Sequence, residues 1–213
     1  MSTSPCVVSR LWPGETVICL GSGPSLTQAD VEVCRGQARV IAVNTSYQLA
    51  PWADAIYACD ERWWQWHKGV PGFPGLKYAL ETGAARFPGV QVLQNTGIRG
   101  LETSPHGLKN GRNSGYQAIG LAYHLGASRI LLLGYDMQIG PDHQERWHGA
   151  HDPHAKTDPD QFMRRMAMFR EVFESIVRPL QNAGVRVVNC TRQTALTVFP
   201  QMALEEALAP VPV

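Results

Sequence analysis

Four of the seven histidines, His143, His148, His151 and His154, fall within twelve residues in "DHQERWHGAHDPHAKTD", beside Asp142, Asp152 and Asp158. These side chains suit metal binding or proton transfer, and the bland alternative is a solvated loop. Their spacing, five then three then three, matches no zinc signature. Histidine titrates near neutral pH, so a general base in this loop is preferred to a metal ligand, and no metal site is expected.

A second candidate is "VICLGSGPSL", Val17 to Leu26, where an apolar run meets Gly21-Ser22-Gly23-Pro24-Ser25. Small residues after a buried strand let the backbone approach a ligand, and a helix start offers free N–H groups to an anion. The same residues also serve a tight corner with no ligand. No Gly-Lys-Ser/Thr follows, so this is no Walker loop, and Leu26 stands where a dinucleotide fingerprint has its third glycine. Pro24 suits a first helical turn, and Ser25 with Gln28 fits a capping box.

Asn44 follows the apolar run "RVIAV" in "AVNTSY", a position for reading a ribose or base or for an Asx turn. Asp60 in "CDERWW" is a candidate ligand for a metal, a ribose or an acceptor hydroxyl, or a helix cap. In "GRNSGYQAIGLAYHLGASRILLLGYDM", Asn113, Ser114 and Gly115 open a second small-residue helix start, and Tyr135 and Asp136 end the next strand. Two such starts facing each other suit the two sides of one nucleotide. His124 sits among apolar neighbours and reads as structural.

The elements that must position these residues follow from hydrophobic pattern. Continuous apolar runs at 16–20, 39–43, 129–133 and 185–189 suit strands buried on both faces of a parallel sheet, with weaker candidates at 54–59 and 90–94. Helical segments are expected at Ser25 to Arg35, Arg62 to Lys68, Ser114 to Leu125 and Asp160 to Asn182, the last with Phe162, Met166, Phe169, Phe173, Ile176, Val177 and Leu180 on one face. Gly184 is placed to end that helix. The alternation predicts one α/β domain over 1–213, a Rossmann-like, doubly wound, mostly parallel sheet. A lid at about 138–160 precedes the long helix, and a Gly/Pro-rich stretch, 69–113, reads as an irregular connection.

Composition excludes some classes. With 44% hydrophobic residues and a net charge of +1, the chain has no global basic field for nucleic acid or anionic membrane. Five dispersed cysteines read as reduced core thiols, and no apolar run is long enough for a bilayer, so a cytoplasmic location and no membrane partner are expected.

Taken in order, "VICLGSGPSL", "VIAVNTSY" and "NSGYQAIGLAYHLGASRILLLGYDM" resemble the bacterial sialyltransferase family and the related MptE-like proteins. The resemblance implies a nucleotide-binding Rossmann-like sheet with an inserted lid. It places Ser22, Gly23 and Pro24 along the phosphates and ribose, Asn44 on the nucleotide, and Asn113, Ser114 and Gly115 beside base or ribose. It makes His148, with His151 close behind, the counterpart of the catalytic base. Two features depart from the sialyltransferase pattern. Residues 138–160 hold no tyrosine for the leaving phosphate, leaving Tyr135 as a substitute, and "CDERWW" differs.

Three functions are therefore weighed. The first is a glycosyltransferase using a nucleotide-sugar donor and no required cofactor, with a glycan, a small molecule or modified DNA as acceptor. The second is an MptE-like pyrophosphokinase using ATP and Mg²⁺, its metal held by Asp60 and Asp136. The third is a non-catalytic nucleotide-binding module like those encoded by phages, in which the tryptophans Trp52, Trp63, Trp64, Trp66 and Trp147 serve stacking or a homo-oligomer interface.

Overall fold

The computed structural model describes residues 6–149 and 158–209. A seven-stranded sheet with the order β5-β4-β3-β2-β1-β8-β9 forms its centre, and every pairing in it is parallel. Its strands are β1 (Thr16–Leu20), β2 (Arg39–Val43), β3 (Ala55–Tyr57), β4 (Leu76–Ala79), β5 (Val90–Val92), β8 (Arg129–Leu133) and β9 (Arg186–Asn189). The strands β6 (Gln94–Asn95) and β7 (Gly107–Leu108) make a separate two-stranded pair.

The apolar runs form central strands because both faces are covered. Val17 and Cys19 of β1 enter one core with α3 (Ser114–Leu125) and α4 (Pro159–Asn182). Ile18 and Leu20 enter another with α1 (Gln28–Cys34) and α5 (Leu204–Leu208). Alternate side chains thus feed opposite faces. The helix α2 (Glu61–Trp66) buries Trp63 and Trp64 against Ile56 of β3 and Ala58 just beyond it. The α4 stripe includes Val172 and Phe173 in the core. Phe173 is fully buried, so truncation to Ala would cost about 3–5 kcal/mol. Gly184 follows α4 with φ +73°, as a left-handed terminator should.

Two expectations are corrected. The first helix begins at Gln28, not Ser25, and its capping box pairs Thr27 with Asp30 instead of Ser25 with Gln28. The Ser25 amide is held elsewhere, by Asp136 Oδ2 at 3.1 Å, so residues 21–26 form a loop and not a helical turn. The stretch 69–113 is no irregular connection. It supplies β5, within the weak candidate at 90–94, and β4, β6 and β7, whose two-to-four-residue lengths carry too little periodicity to stand out between glycines and prolines.

Sheet order reverses at β1: the chain runs from β1 through β2 to β5 towards one edge, then returns to β8 and β9 on the other side. Such a switch point opens a crevice beyond the carboxyl ends of the strands. Among the described residues, no helix is long and apolar enough to cross a membrane.

Candidate nucleotide cleft

A cavity of about 230 Å³ lies at this switch point. Gly21, Ser22, Gly23 and Pro24 line it after β1, and Asn44 does so after β2. Asn113, Ser114 and Gly115 contribute the start of α3, and Tyr135 and Asp136 follow β8. Separate sequence segments are thus gathered on one cleft.

The Gly-Ser-Gly turn is both a tight corner and a cavity wall. A Cβ on Gly21 would lie 2.4 Å from the Gly134 carbonyl oxygen, and one on Gly23 would lie 1.6 Å from Asp136 Oδ1. Only glycine lets the loop after β1 cross the loop after β8 at this distance.

Two oxygens in the cleft wall lack partners. Asp136 is 1% exposed, and its Oδ1 is buried without a hydrogen bond among the described residues. Burial pushes its carboxyl up to about 6, partly offset by the Ser25 hydroxyl and then by the Ser25 amide. Asn44 Oδ1 is likewise buried without a partner, and Asn44 holds φ +52°, a left-handed conformation. Buried acceptors are nearly always satisfied, and an Asx turn would have satisfied this one. Arg112 (φ +55°) and Met137 (φ +51°) line the same cavity, so unusual backbone is concentrated there.

The sequence reading missed the cations. Arg112, Arg146 and Arg165 line the cleft, and neither Arg112 nor Arg165 forms an ion pair among the described residues. Arg146 pairs with Glu145 at 3.1 Å. No local motif marks them; only the adjacency of Arg112 to "NSG" gave a hint. The loop carrying Arg146 is tied down by Trp147, whose backbone N–H donates to Ser22 O at 3.3 Å and whose indole donates to Ser46 Oγ at 3.2 Å. Asn113 caps α3 by accepting from the Tyr116 amide, and the positive end of that helix adds to the arginine field.

This arrangement has a solved counterpart in fold. The sialyltransferase CstII from Campylobacter jejuni, in complex with a substrate analogue, cytidine-5'-monophosphate, aligns with a TM-score of 0.52 and 13% identity. The alignment covers 94% of this chain and 89% of that one. The shared feature is a Rossmann-like α/β fold. No protein-family model and no curated protein matches the sequence.

Other candidates fall outside the cleft. Ser25 does not line it, its amide being held by Asp136. Tyr135 reaches it only with a buried ring; its hydroxyl donates to the Gly115 carbonyl at 3.0 Å and has no freedom to follow a leaving group. Asp60 lines a neighbouring cavity instead and makes no capping bond to α2. Asp60 and Asp136 therefore do not share one cavity, as a common Mg²⁺ site for them would require. His148 lines neither cavity and is half-buried against Trp147. Burial, then the Arg146 charge, lower its pKa to about 4. His151 and His154 lie outside the described residues. His124 is buried with Nε2 3.0 Å from the Gly107 carbonyl, a structural role.

Proposed function

We propose that the chain is a glycosyltransferase whose nucleotide-sugar donor occupies the cleft at the switch point. The observation that carries this reading is the pairing, across one cavity, of acceptor oxygens on Asn44 and Asp136 that lack partners among the described residues with Arg112, Arg146 and Arg165. The oxygens await hydroxyl or amino donors of a nucleoside, and the arginines suit its phosphates. A fold shared with a sialyltransferase solved with cytidine monophosphate supports the same reading.

The chemistry is displacement at the anomeric carbon. The acceptor oxygen forms the new glycosidic bond, and the bond from carbon to phosphate oxygen breaks with its electron pair leaving on the phosphate. The acceptor proton passes to a base. Arginines and the α3 amino end offset the leaving charge, so this step requires no metal. The base belongs to the histidine loop, with His148 and His151 as its candidates; His148 lines neither cavity, and burial and the Arg146 charge lower its pKa to about 4, away from the near-neutral value that suits a general base.

A thermal-shift panel of nucleoside phosphates and nucleotide sugars, with and without Mg²⁺, tests the reading. A nucleotide sugar at a hundred times its Kd should stabilise the fold by about 2.7 kcal/mol without metal. Stabilisation only by ATP with Mg²⁺ would instead favour a pyrophosphokinase.

A further inference from the structure

Beside the nucleotide cleft lies a second cavity of about 240 Å³, and the two share the walls formed by Arg112, Asn113 and Ser114. Apart from Cys59 and Leu80, the rest of its lining is polar: Asp60 after β3, Glu81 after β4, and Asn95, Asn110 and Gln117. Gln117 is committed to the frame, since its Oε1 accepts from the buried Tyr57 hydroxyl at 2.8 Å. Glu81 Oε2 accepts the Glu61 amide at 2.7 Å, which fixes that carboxylate at the cavity.

The two cavities have opposite charge. The nucleotide cleft carries Arg112, Arg146 and Arg165 against Glu145 and a carboxyl, Asp136, that burial has raised. The second cavity carries Asp60 and Glu81 against the shared Arg112 alone. Burial and the nearby Glu81 raise the Asp60 pKa, a sign that the two carboxylates feel each other. A phosphate belongs on the first side. Beyond the phosphate comes the group to be transferred, and Arg112, Asn113 and Ser114 mark the border between them.

We infer that the second cavity holds the transferred sugar, and that this sugar is a neutral, hydroxyl-rich one and not a carboxylate-bearing one such as sialic acid. Carboxylates and carboxamides accept and donate to vicinal hydroxyls without cost in charge. A ligand carboxylate would instead meet Asp60 and Glu81, both exposed at the cavity, and like charges brought together there repel, by an amount that water and salt screen. The inference rests on the donor reading above.

The test uses the full chain and calorimetric titration. Nucleoside mono- and diphosphates are titrated first, followed by UDP-glucose against UDP-glucuronate, GDP-mannose against GDP-mannuronate, and CMP-sialic acid against CMP. For the base that binds, a neutral sugar should tighten binding and an acidic sugar should weaken it, the pair differing by about tenfold or more. For cytidine, CMP-sialic acid should bind more weakly than CMP. The double variant Asp60→Asn/Glu81→Gln should erase the discrimination while leaving the affinity for the bare nucleotide unchanged. An acidic sugar bound as tightly as the neutral one, or CMP-sialic acid bound more tightly than CMP, overturns the inference and leaves the donor reading standing. So does a discrimination that survives the double variant. Failure of every nucleotide to bind overturns the donor reading itself, and this inference with it.

Discussion

Asp136 Oδ1 rests against Gly23 so closely that a Cβ added to the glycine would stand 1.6 Å from it, while Oδ2 receives the Ser25 amide at 3.1 Å. The end of β8 is thereby locked to the turn after β1, and the wall of the nucleotide cleft is made by that lock. Gly23→Ala should destabilise the fold by about 3 kcal/mol, as overpacking against fixed neighbours does. The clash is with one named side chain, so Asp136→Ala in the same protein should restore part of that loss. The rescue stays partial because the same Cβ would also lie 2.7 Å from the Gly134 oxygen. Urea denaturation of the single and double variants measures the coupling, and strict additivity would refute it.

The buried Asp136 carboxyl also shapes the pH dependence of stability. Its pKa stands at about 6 in the fold against an ordinary 3.8, because burial disfavours the charge. Between those values the folded chain keeps a proton that the unfolded chain releases, so this group's contribution falls as pH rises and is fully lost above about pH 6. The difference amounts to about 3 kcal/mol. Asp136→Asn removes this slope, so the stability of the variant relative to the parent should rise between pH 4 and 6.5 and level off beyond. Taking the difference cancels other groups, such as Glu102, which nearby Thr96 and the Ser104 amide hold down to about 2. Denaturation curves at half-unit pH steps provide the check.

Tyr135 separates a structural from a catalytic tyrosine. Its hydroxyl is bonded to the Gly115 carbonyl, and it holds the start of α3 against the end of β8. Tyr135→Phe should therefore lower stability by about 1 kcal/mol, the net worth of a buried hydrogen bond. Turnover with the accepted donor should remain within about twofold of the parent, a change of less than half a kcal/mol in the barrier. A large fall in kcat at unchanged stability would give the phenol the leaving-group role instead.

Asn44, which the proposed function places on the nucleotide, is held at some expense to the fold. It adopts a left-handed backbone that glycine would hold without strain, and its Oδ1 is buried without a partner among the described residues. Asn44→Gly should leave stability unchanged or raise it by up to about 1 kcal/mol. Nucleotide affinity should drop about tenfold, the usual consequence of losing one well-placed hydrogen bond. A stability loss with intact binding would make Asn44 a structural residue.

The parts of this molecule legible in the sequence were those with continuous or periodic patterns. β1, β2 and β8 stood out because burial on both faces requires unbroken apolar runs, and α4 because its core stripe returns every three or four residues. Asn44, Gly23 and Asp136 could be proposed because strand ends are where open α/β sheets bind ligands. The Thr27 box was missed because Ser25-x-x-Gln28 fits a cap equally well, and only the distant Asp136 decides between them. Arg112, Arg146 and Arg165 were invisible as a group: they come from three segments, and tertiary folding alone makes them neighbours.

Those arginines supply the last expectation. Arg112 lines both cavities, is exposed, and forms no ion pair among the described residues, so its charge is free to meet a phosphate. Arg112→Gln keeps most of the side-chain length and the same left-handed backbone demand, so stability should change by less than about 0.5 kcal/mol, as surface substitutions usually do. Affinity for a nucleoside diphosphate should fall about 10- to 100-fold, as when one charge-assisted, two-pronged contact is removed. The uncharged nucleoside should bind as before, because the proposed function assigns its contacts to Asn44 and Asp136 and not to Arg112. Raising ionic strength should weaken diphosphate binding to the parent more than to the variant, since the parent has one more charge pair to screen. Titrations at low and high salt compare the two slopes, and equal slopes would remove Arg112 from the phosphate site.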